Sequence, residues 1–128
     1  SKAAIVRCIM ESLALKYNIT FKGLEKIAGH EIPVLHIVGG GSQNIMLCQF
    51  TANALGKTVV TGPVEATSVG NLLCQLMALG EISGLKEART LVERSFPTNV
   101  YTPTSEASWE EACSKFEKLF AERDKDTC

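Results

Sequence analysis

A length of 128 residues predicts a single domain that is large enough to bury a hydrophobic core. Hydrophobic residues make up 45% of the chain and charged residues 21%, which is typical of globular proteins and argues against a disordered one. The formal net charge of −1 gives no electrostatic reason to bind nucleic acid or an anionic membrane, so neither partner is expected. No apolar run approaches the ~18 residues that a membrane span needs.

Two helices and a strand are predicted at the start of the chain. Apolar residues recur every three or four positions over 6–17, which is the spacing of one buried helix face, and Asn18 is the expected stop. A second, short helix is predicted over 21–28, with Gly29 as its terminal residue. A β-rich run over 34–38 then predicts the first strand.

Three consecutive glycines, Gly39, Gly40 and Gly41, follow this strand, and a helical pattern begins directly after them. Glycines permit positive φ and let the main chain approach a flat or bulky group. The start of the next helix offers unpaired N–H groups and the positive end of a dipole. A strand, a glycine turn and a helix N-terminus together are a common arrangement for holding a nucleotide, although a tight turn without a ligand has the same spacing.

Two amide side chains, Gln43 and Asn44, occupy the first turn after the glycines. Amides both donate and accept hydrogen bonds, as recognition of a purine edge or a ribose hydroxyl requires. Alternatively, Asn44 caps the helix. The stretch matches neither the P-loop motif nor the dinucleotide-binding motif, which excludes the first and weakens the second interpretation.

Helical patterns dominate the rest of the chain. The elements predicted in chain order are a helix over 47–55, a strand over 57–61, helices over 69–77 and 85–96, a loop over 97–103 and a final helix. Ser108 and Glu111 have the spacing of a capping box at the start of that helix.

The two predicted strands, joined by one helix, form a parallel β-α-β unit. Parallel sheets normally contain more strands and carry helices on both faces. We therefore expect this chain either to pair with another copy or to be a piece of a larger protein, and the piece is the favoured interpretation.

Few titratable residues suggest a chemical site. Neither His30 nor His36 has a partner at metal-ligand spacing, so no metal site is predicted. Glu65 follows the second strand at the edge where ligands of α/β sheets bind. Stabilisation of the next helix through its dipole is the simpler role for this carboxylate.

The five cysteines are widely spaced and form no Cys-x-x-Cys pair. An odd number at such spacing argues against a disulfide framework and against a zinc site. We expect reduced thiols that pack as small hydrophobic side chains in a cytoplasmic protein.

Two segments resemble the C-terminal region of the FGGY carbohydrate kinases. They are residues 37–44, Ile-Val-Gly-Gly-Gly-Ser-Gln-Asn, and residues 62–71, Gly-Pro-Val-Glu-Ala-Thr-Ser-Val-Gly-Asn. Gln49 and residues 11–17, Glu-Ser-Leu-Ala-Leu-Lys-Tyr, extend the likeness, which spans residues 3 to about 105 and is greatest toward the rhamnulokinase branch.

The resemblance implies that residues 1–128 are a partial C-terminal nucleotide-binding domain with an α/β fold. This would be a partial ribonuclease-H-like (actin-like ATPase) domain, rich in helix around a short parallel β-α-β core. The three glycines would pack beside the adenine and ribose of ATP or ADP, and Asn44 and, with less support, Gln43 would contact the base. Glu65 matches a family acid with an expected structural role, and Asn53 stands where relatives often carry an acid.

The resemblance also implies what this chain lacks: the first strands of its domain, the sugar-binding domain, the catalytic aspartate and the magnesium ligands. The complete enzyme would transfer the γ-phosphate of ATP to a ketose hydroxyl, with L-rhamnulose as the substrate in this branch. Because phosphoryl transfer needs positioning, metal and a base, we expect no catalytic residue here and an inactive fragment that self-associates. A non-catalytic nucleotide- or partner-binding module and a self-associating structural domain are the alternatives.

Overall fold

Five α-helices and three short strands form the described part of the chain, which comprises residues 1–104 and 107–125 of the computed structural model. In chain order they are α1 (Lys2–Ala28), β1 (Val34–Ile37), α2 (Ile45–Leu55), β2 (Thr58–Thr61), α3 (Ala66–Ala78), α4 (Leu85–Ser95), β3 (Val100–Tyr101) and α5 (Ala107–Lys125). A short 3-10 helix, Gly40–Gln43, lies between β1 and α2. Within these described ranges, no helix is both long and apolar enough to cross a membrane.

The three strands form a mixed sheet in the order β1-β2-β3. β1 and β2 are parallel, with Val34 opposite Thr58, so the predicted parallel β-α-β unit is confirmed. β3 pairs antiparallel with β2, with Tyr101 opposite Val59. The prediction of a loop over 97–103 was therefore wrong at Val100 and Tyr101, because two residues carry no readable alternation and become a strand only by pairing with β2.

The N-terminal segment is one helix of 27 residues rather than the two that were predicted. Asn18 does not end it: this residue is 4% exposed and lies beside Cys113 of α5. A tertiary contact thus overrides the low helix propensity of asparagine. The helix ends at Gly29, as predicted, where φ is 70° and the N–H donates to the Glu25 carbonyl at 2.9 Å.

The core lies where α1, α2 and α5 meet. Ala14 of α1 and Ala54 of α2 contact Trp109 and Cys113 of α5 in one buried cluster. Small side chains on α1 and α2 let these helices approach closely, and the Trp109 ring covers their junction. Phe50 stacks against Trp109 with 5.2 Å between ring centroids and a tilt of 55°, a favourable aromatic geometry.

The predicted capping box does not mark the beginning of α5. This helix begins at Ala107, so Ser108 already lies inside it. Glu111 instead forms an ion pair with Lys115, at 2.6 Å between the carboxylate and the ammonium nitrogen. An i,i+4 pair of this kind competes with the backward reach that a capping box requires.

The prediction that the cysteines pack as small hydrophobic side chains holds for only two of them. Cys48 and Cys113 are buried free thiols, and burial raises the pKa of each. Cys8 and Cys74 are exposed free thiols on α1 and α3. Cys128 lies outside the described residues.

One face of the sheet is only loosely covered. An open cavity of about 880 Å³ lies between this face and the helices α3 and α4. Its lining includes His36 and Val60 of the sheet, Val38 just after β1, and the helix residues Leu73, Met77 and Val92. Consequently α3 buries none of its residues, although its apolar spacing is regular.

Lys57 connects the end of α1 to the start of β2. Its ammonium group contacts the carboxylate of Glu31 and lies 3.5 Å from that of Glu25, which also accepts a hydrogen bond from the Ile32 N–H at 2.8 Å. The hydrogen bond to Glu31 raises the pKa of Lys57, and the same contact lowers the pKa of Glu31 below its ordinary value of 4.5. The pair therefore favours the folded state wherever both groups are charged.

We expect Lys57→Met to lower the free energy of unfolding at pH 7 and to lose this effect in acid. Because the Glu31 pKa is depressed in the folded state, its contribution is present above about pH 4.5 and disappears as the pH falls further. Urea denaturation between about pH 3 and 8, followed by Trp109 fluorescence, measures the free energy of unfolding on both sides of the carboxyl pKa. Lys118→Met, at an exposed position of α5, is the control. If Lys57→Met lowered the free energy of unfolding by the same amount at both ends of this pH range, the contribution of the ion pair would be contradicted.

Candidate functional site

The glycine turn begins with a residue that only glycine occupies without strain. Gly39 has φ 79° and ψ −167°, and its N–H donates to the Pro63 carbonyl at 3.0 Å. The Gly39 carbonyl accepts hydrogen bonds from the N–H of Ser42 at 3.1 Å and from its hydroxyl at 2.7 Å. Ser42 is only 7% exposed, so its side chain closes the turn from the inside.

The two following glycines are not explained by backbone or packing in the same way. Neither Gly40 nor Gly41 has a positive φ. A Cβ added to Gly40 would meet nothing within 4 Å, and one added to Gly41 would meet only Ile37 Cγ2, at an ordinary 3.9 Å. Both residues are exposed. Neither position therefore requires glycine for its backbone conformation or for the space that a Cβ would take.

Asn44 is the N-cap of α2. Its side-chain oxygen accepts a hydrogen bond from the Leu47 N–H at 3.0 Å, so the capping role considered from the sequence is confirmed. Its side-chain nitrogen donates to the sulfur of Met10 on α1 at 3.5 Å. Gln43 is exposed, and its amide makes no hydrogen bond to any residue that the structure describes. The five predicted residues, 39–41, 43 and 44, are thus brought together in one turn.

Two residues that hydrogen-bond to the main chain of this turn were missed by sequence reasoning. Ser42 closes it, and its position three residues after Gly39 was the available signal. Cys48, with no exposed surface, donates through its thiol to the carbonyls of Gly41 and Ser42, each at 3.8 Å. Nothing in the sequence distinguishes this cysteine from the others, because the contact depends on the path of the turn.

The two residues just after β2 hold the glycine turn in place through main-chain hydrogen bonds. The Gly62 N–H donates to the Ile37 carbonyl at 2.9 Å, next to the hydrogen bond between Gly39 and Pro63. A Cβ on Gly62 would lie 2.8 Å from Val38 Cγ1, which is closer than real contacts allow. Gly62 is therefore required by the close approach of the two strand ends.

Glu65 and Asn53 lie outside the turn. Glu65 is the exposed N-cap residue of α3, its side chain makes no capping hydrogen bond, and its charge lies at the positive end of that helix. The Asn53 side-chain oxygen accepts from Gln49 at 2.9 Å and from the N–H and hydroxyl of Thr104 at 3.0 and 3.1 Å. It fastens the segment after β3 to the C-terminal half of α2, so the departure noted at Asn53 does not touch the glycine turn.

Within the described ranges, no group of three histidine, cysteine or acidic side chains is placed to hold a metal ion. His30 lies with Nδ1 3.0 Å from the Glu31 carbonyl, and His36 is exposed in β1. The glycine turn itself presents exposed main chain at Gly40 and Gly41 and the exposed side chain of Gln43.

Comparison with known families gives this geometry a context. The model of the C-terminal domain of the FGGY family of carbohydrate kinases matches residues 1–79, which include the glycine turn and most of the chain. The chain belongs to this family. A helix-rich α/β architecture with a small mixed sheet is consistent with part of that domain.

Individual relatives extend the similarity beyond α3. Rhamnulokinase from Bacteroides thetaiotaomicron is 45% identical over 115 residues, 90% of this chain, and that from Bacillus subtilis is 49% identical over 96 residues, 75% of this chain. Rhamnulokinase from Pectobacterium atrosepticum is 42% identical over 119 residues, 93% of this chain. The chain spans only 20–24% of the length of these relatives. Because each of these alignments is longer than 79 residues, the similarity to rhamnulokinases extends past the limit of the family model.

We expect Gly62→Ala to destabilise the protein by about 1–3 kcal/mol, because the new methyl overlaps the stiff β-branched side chain of Val38. The double variant Gly62→Ala/Val38→Ala should recover most of that loss. Urea denaturation gives the free energies of unfolding.

Gly70→Ala is the matched control, since a Cβ at this α3 position meets nothing within 4 Å and alanine favours a helix by about 0.5–1 kcal/mol. If Gly62→Ala were as well tolerated as Gly70→Ala, the close approach of the strand ends would be wrong.

Proposed function

We propose that this chain is the adenosine-binding part of an ATP-dependent sugar kinase. In this proposal the complete protein converts ATP and L-rhamnulose to ADP and L-rhamnulose 1-phosphate. The sugar and the class of reaction come from the rhamnulokinase relatives, whereas the nucleotide site is argued from the turn in this chain.

The observation that carries the nucleotide site is the exposed main chain at Gly40 and Gly41. Gly39 is needed for its positive φ, but neither of the next two glycines is demanded by φ or by packing. An adenine ring stacked on this main chain supplies the missing reason for two residues without side chains. The exposed amide of Gln43 then lies beside the ring as a hydrogen-bond donor and acceptor.

Asn44 would act in this site in two ways. Its side chain caps α2 and reaches Met10, which fixes its orientation. The amide oxygen and nitrogen each keep further hydrogen-bonding capacity toward a base or ribose at the turn. A fixed amide lowers the entropic cost of recognition.

Catalysis would be completed outside this chain. We propose that residues 1–128 form part of a ribonuclease-H-like (actin-like ATPase) domain, as the β1-α2-β2 unit followed by α3 suggests. Magnesium, which neutralises the phosphates in such reactions, would take its ligands from the rest of the complete protein, and so would the base that receives the sugar's hydroxyl proton. This chain alone would then be inactive. The four described free thiols support a reducing compartment, and we place the protein in the cytoplasm.

A titration of the 128-residue chain with ATP, followed by amide NMR, tests the nucleotide site. We expect shifts concentrated at residues 39–44 and a Kd of about 1 mM or weaker, about −4 kcal/mol, because the turn contacts the nucleoside from one side only. Gly40→Val should remove these shifts without unfolding the protein, since its Cβ would meet nothing within 4 Å. Gly23→Val, equally open on α1, is the control and should leave them intact.

In the complete protein, Gly40→Val should raise the KM for ATP much more than the KM for the sugar. Equal effects on both constants, or ATP-induced shifts that survive in Gly40→Val, would count against adenosine binding at this turn.

We also propose that this chain self-associates. Beside its buried residues Ala14, Asn18 and Phe21, α1 carries large, exposed apolar side chains: Ile5, Val6, Ile9, Leu13, Tyr17, Leu24 and Ile27. β1 lies at an edge of the sheet, where unpaired main-chain groups favour pairing with a second copy.

Light scattering during size-exclusion chromatography should give a mass above that of one 13.8 kDa chain, and Leu13→Lys should shift it toward the monomer. Leu79→Lys is the control, because Leu79 is more exposed, 76% against 38%, but lies at the end of α3. A mass of one chain at every concentration tested would contradict self-association.

A further inference from the structure

The segment after α4 holds the end of β2 through an unusual pair of hydrogen bonds. The Thr61 N–H donates to the Asn99 carbonyl at 2.9 Å, and the Asn99 N–H donates to the Thr61 hydroxyl at 2.8 Å. The Thr61 hydroxyl also lies 3.4 Å from the Asn99 carbonyl. Thr61 is 3% exposed and Asn99 is exposed, so this polar contact is buried on the Thr61 side only.

In a regular antiparallel ladder, the residue pair at this position exchanges two N–H to carbonyl hydrogen bonds. The register places Thr61 directly opposite Asn99, since Val59 faces Tyr101 and Val60 faces Val100. Here the hydroxyl of Thr61 replaces its own carbonyl as the acceptor. The regular ladder between β2 and β3 ends at this pair of residues.

The two residues after Thr61, Gly62 and Pro63, hydrogen-bond to the end of β1 and to the start of the glycine turn. The N–H of Gly62 donates to the Ile37 carbonyl at 2.9 Å, and the carbonyl of Pro63 accepts from the Gly39 N–H at 3.0 Å. We infer that Thr61 is a positioning residue for this turn: its hydroxyl sets where β2 leaves β3, and hence where residues 62–63 hold Gly39. The inference rests on the proposed function in taking the turn as the adenosine site.

The other side of this contact is itself anchored. The Gln49 amide donates to the Thr102 carbonyl at 2.9 Å, and Asn53 accepts from Thr104, so α2 holds the segment just beyond β3. Thr61 therefore bonds to a fixed partner. Asn99, Thr102 and Thr104 all lie beyond residues 1–79, which the family model matches.

Thr61→Val removes the hydroxyl at nearly constant volume. We expect the Gly39 amide of this variant to exchange with solvent about tenfold faster or more, without nucleotide, because loop 62–63 loses its fixed origin. The ATP-induced shifts at residues 39–44 should weaken in parallel. Thr58→Val, at the other end of β2, is the matched control, since its hydroxyl makes no hydrogen bond to another described residue; Gly39 exchange should stay within about twofold of the parent chain.

Thr61→Ser and Thr61→Ala decide the case if Thr61→Val does not fold. Both lose the methyl group, but only serine keeps the hydroxyl, so Gly39 should be protected in the first and exposed in the second. Equal Gly39 exchange in these two variants, or in Thr61→Val and Thr58→Val, would overturn the inference. Absence of ATP-induced shifts in the parent chain would instead contradict adenosine binding and leave the exchange result to judge Thr61.

Discussion

Two hydrogen bonds between the ends of β1 and β2 are the constraint on which the candidate site depends. The Gly62 N–H donates to the Ile37 carbonyl, and the Gly39 N–H donates to the Pro63 carbonyl. Because these bonds join the last residue of β1 and the start of the glycine turn to the two residues after β2, they hold the turn at the end of the sheet. A 3-10 helix over Gly40–Gln43 then leads directly into α2, and the main chain of Gly40 and Gly41 is exposed within it.

Local sequence signals were sufficient for much of this arrangement. Gly39, the amide at Asn44 and the glycine at the end of α2 each have a local backbone role, so the strand, turn and helix could be predicted in order. The β-branched run over 57–61 was equally readable as a strand. These elements also form the part of the chain that matches the family model, residues 1–79.

Features that depend on distant contacts could not be predicted. Asn18 was expected to stop a helix, but burial against α5 keeps it inside α1. β3 is a strand only because β2 lies beside it, and the thiol of Cys48 reaches the turn only because α2 begins there. The hydroxyl of Thr61 likewise acquires its role from Asn99, 38 residues further along the chain. Propensity and periodicity describe local preference and carry no information on such partners.

Two independent observations, membership of the FGGY family and the geometry of the glycine turn, support our proposal that this turn binds adenosine. The relatives are about four times as long as this chain, so the remaining parts of the reaction belong to the complete protein in our proposal. The most direct test is a crystal structure of that complete protein with ADP. Our account predicts the adenine within about 4 Å of the main chain at Gly40 and Gly41. Adenine bound at a site remote from these glycines would contradict it.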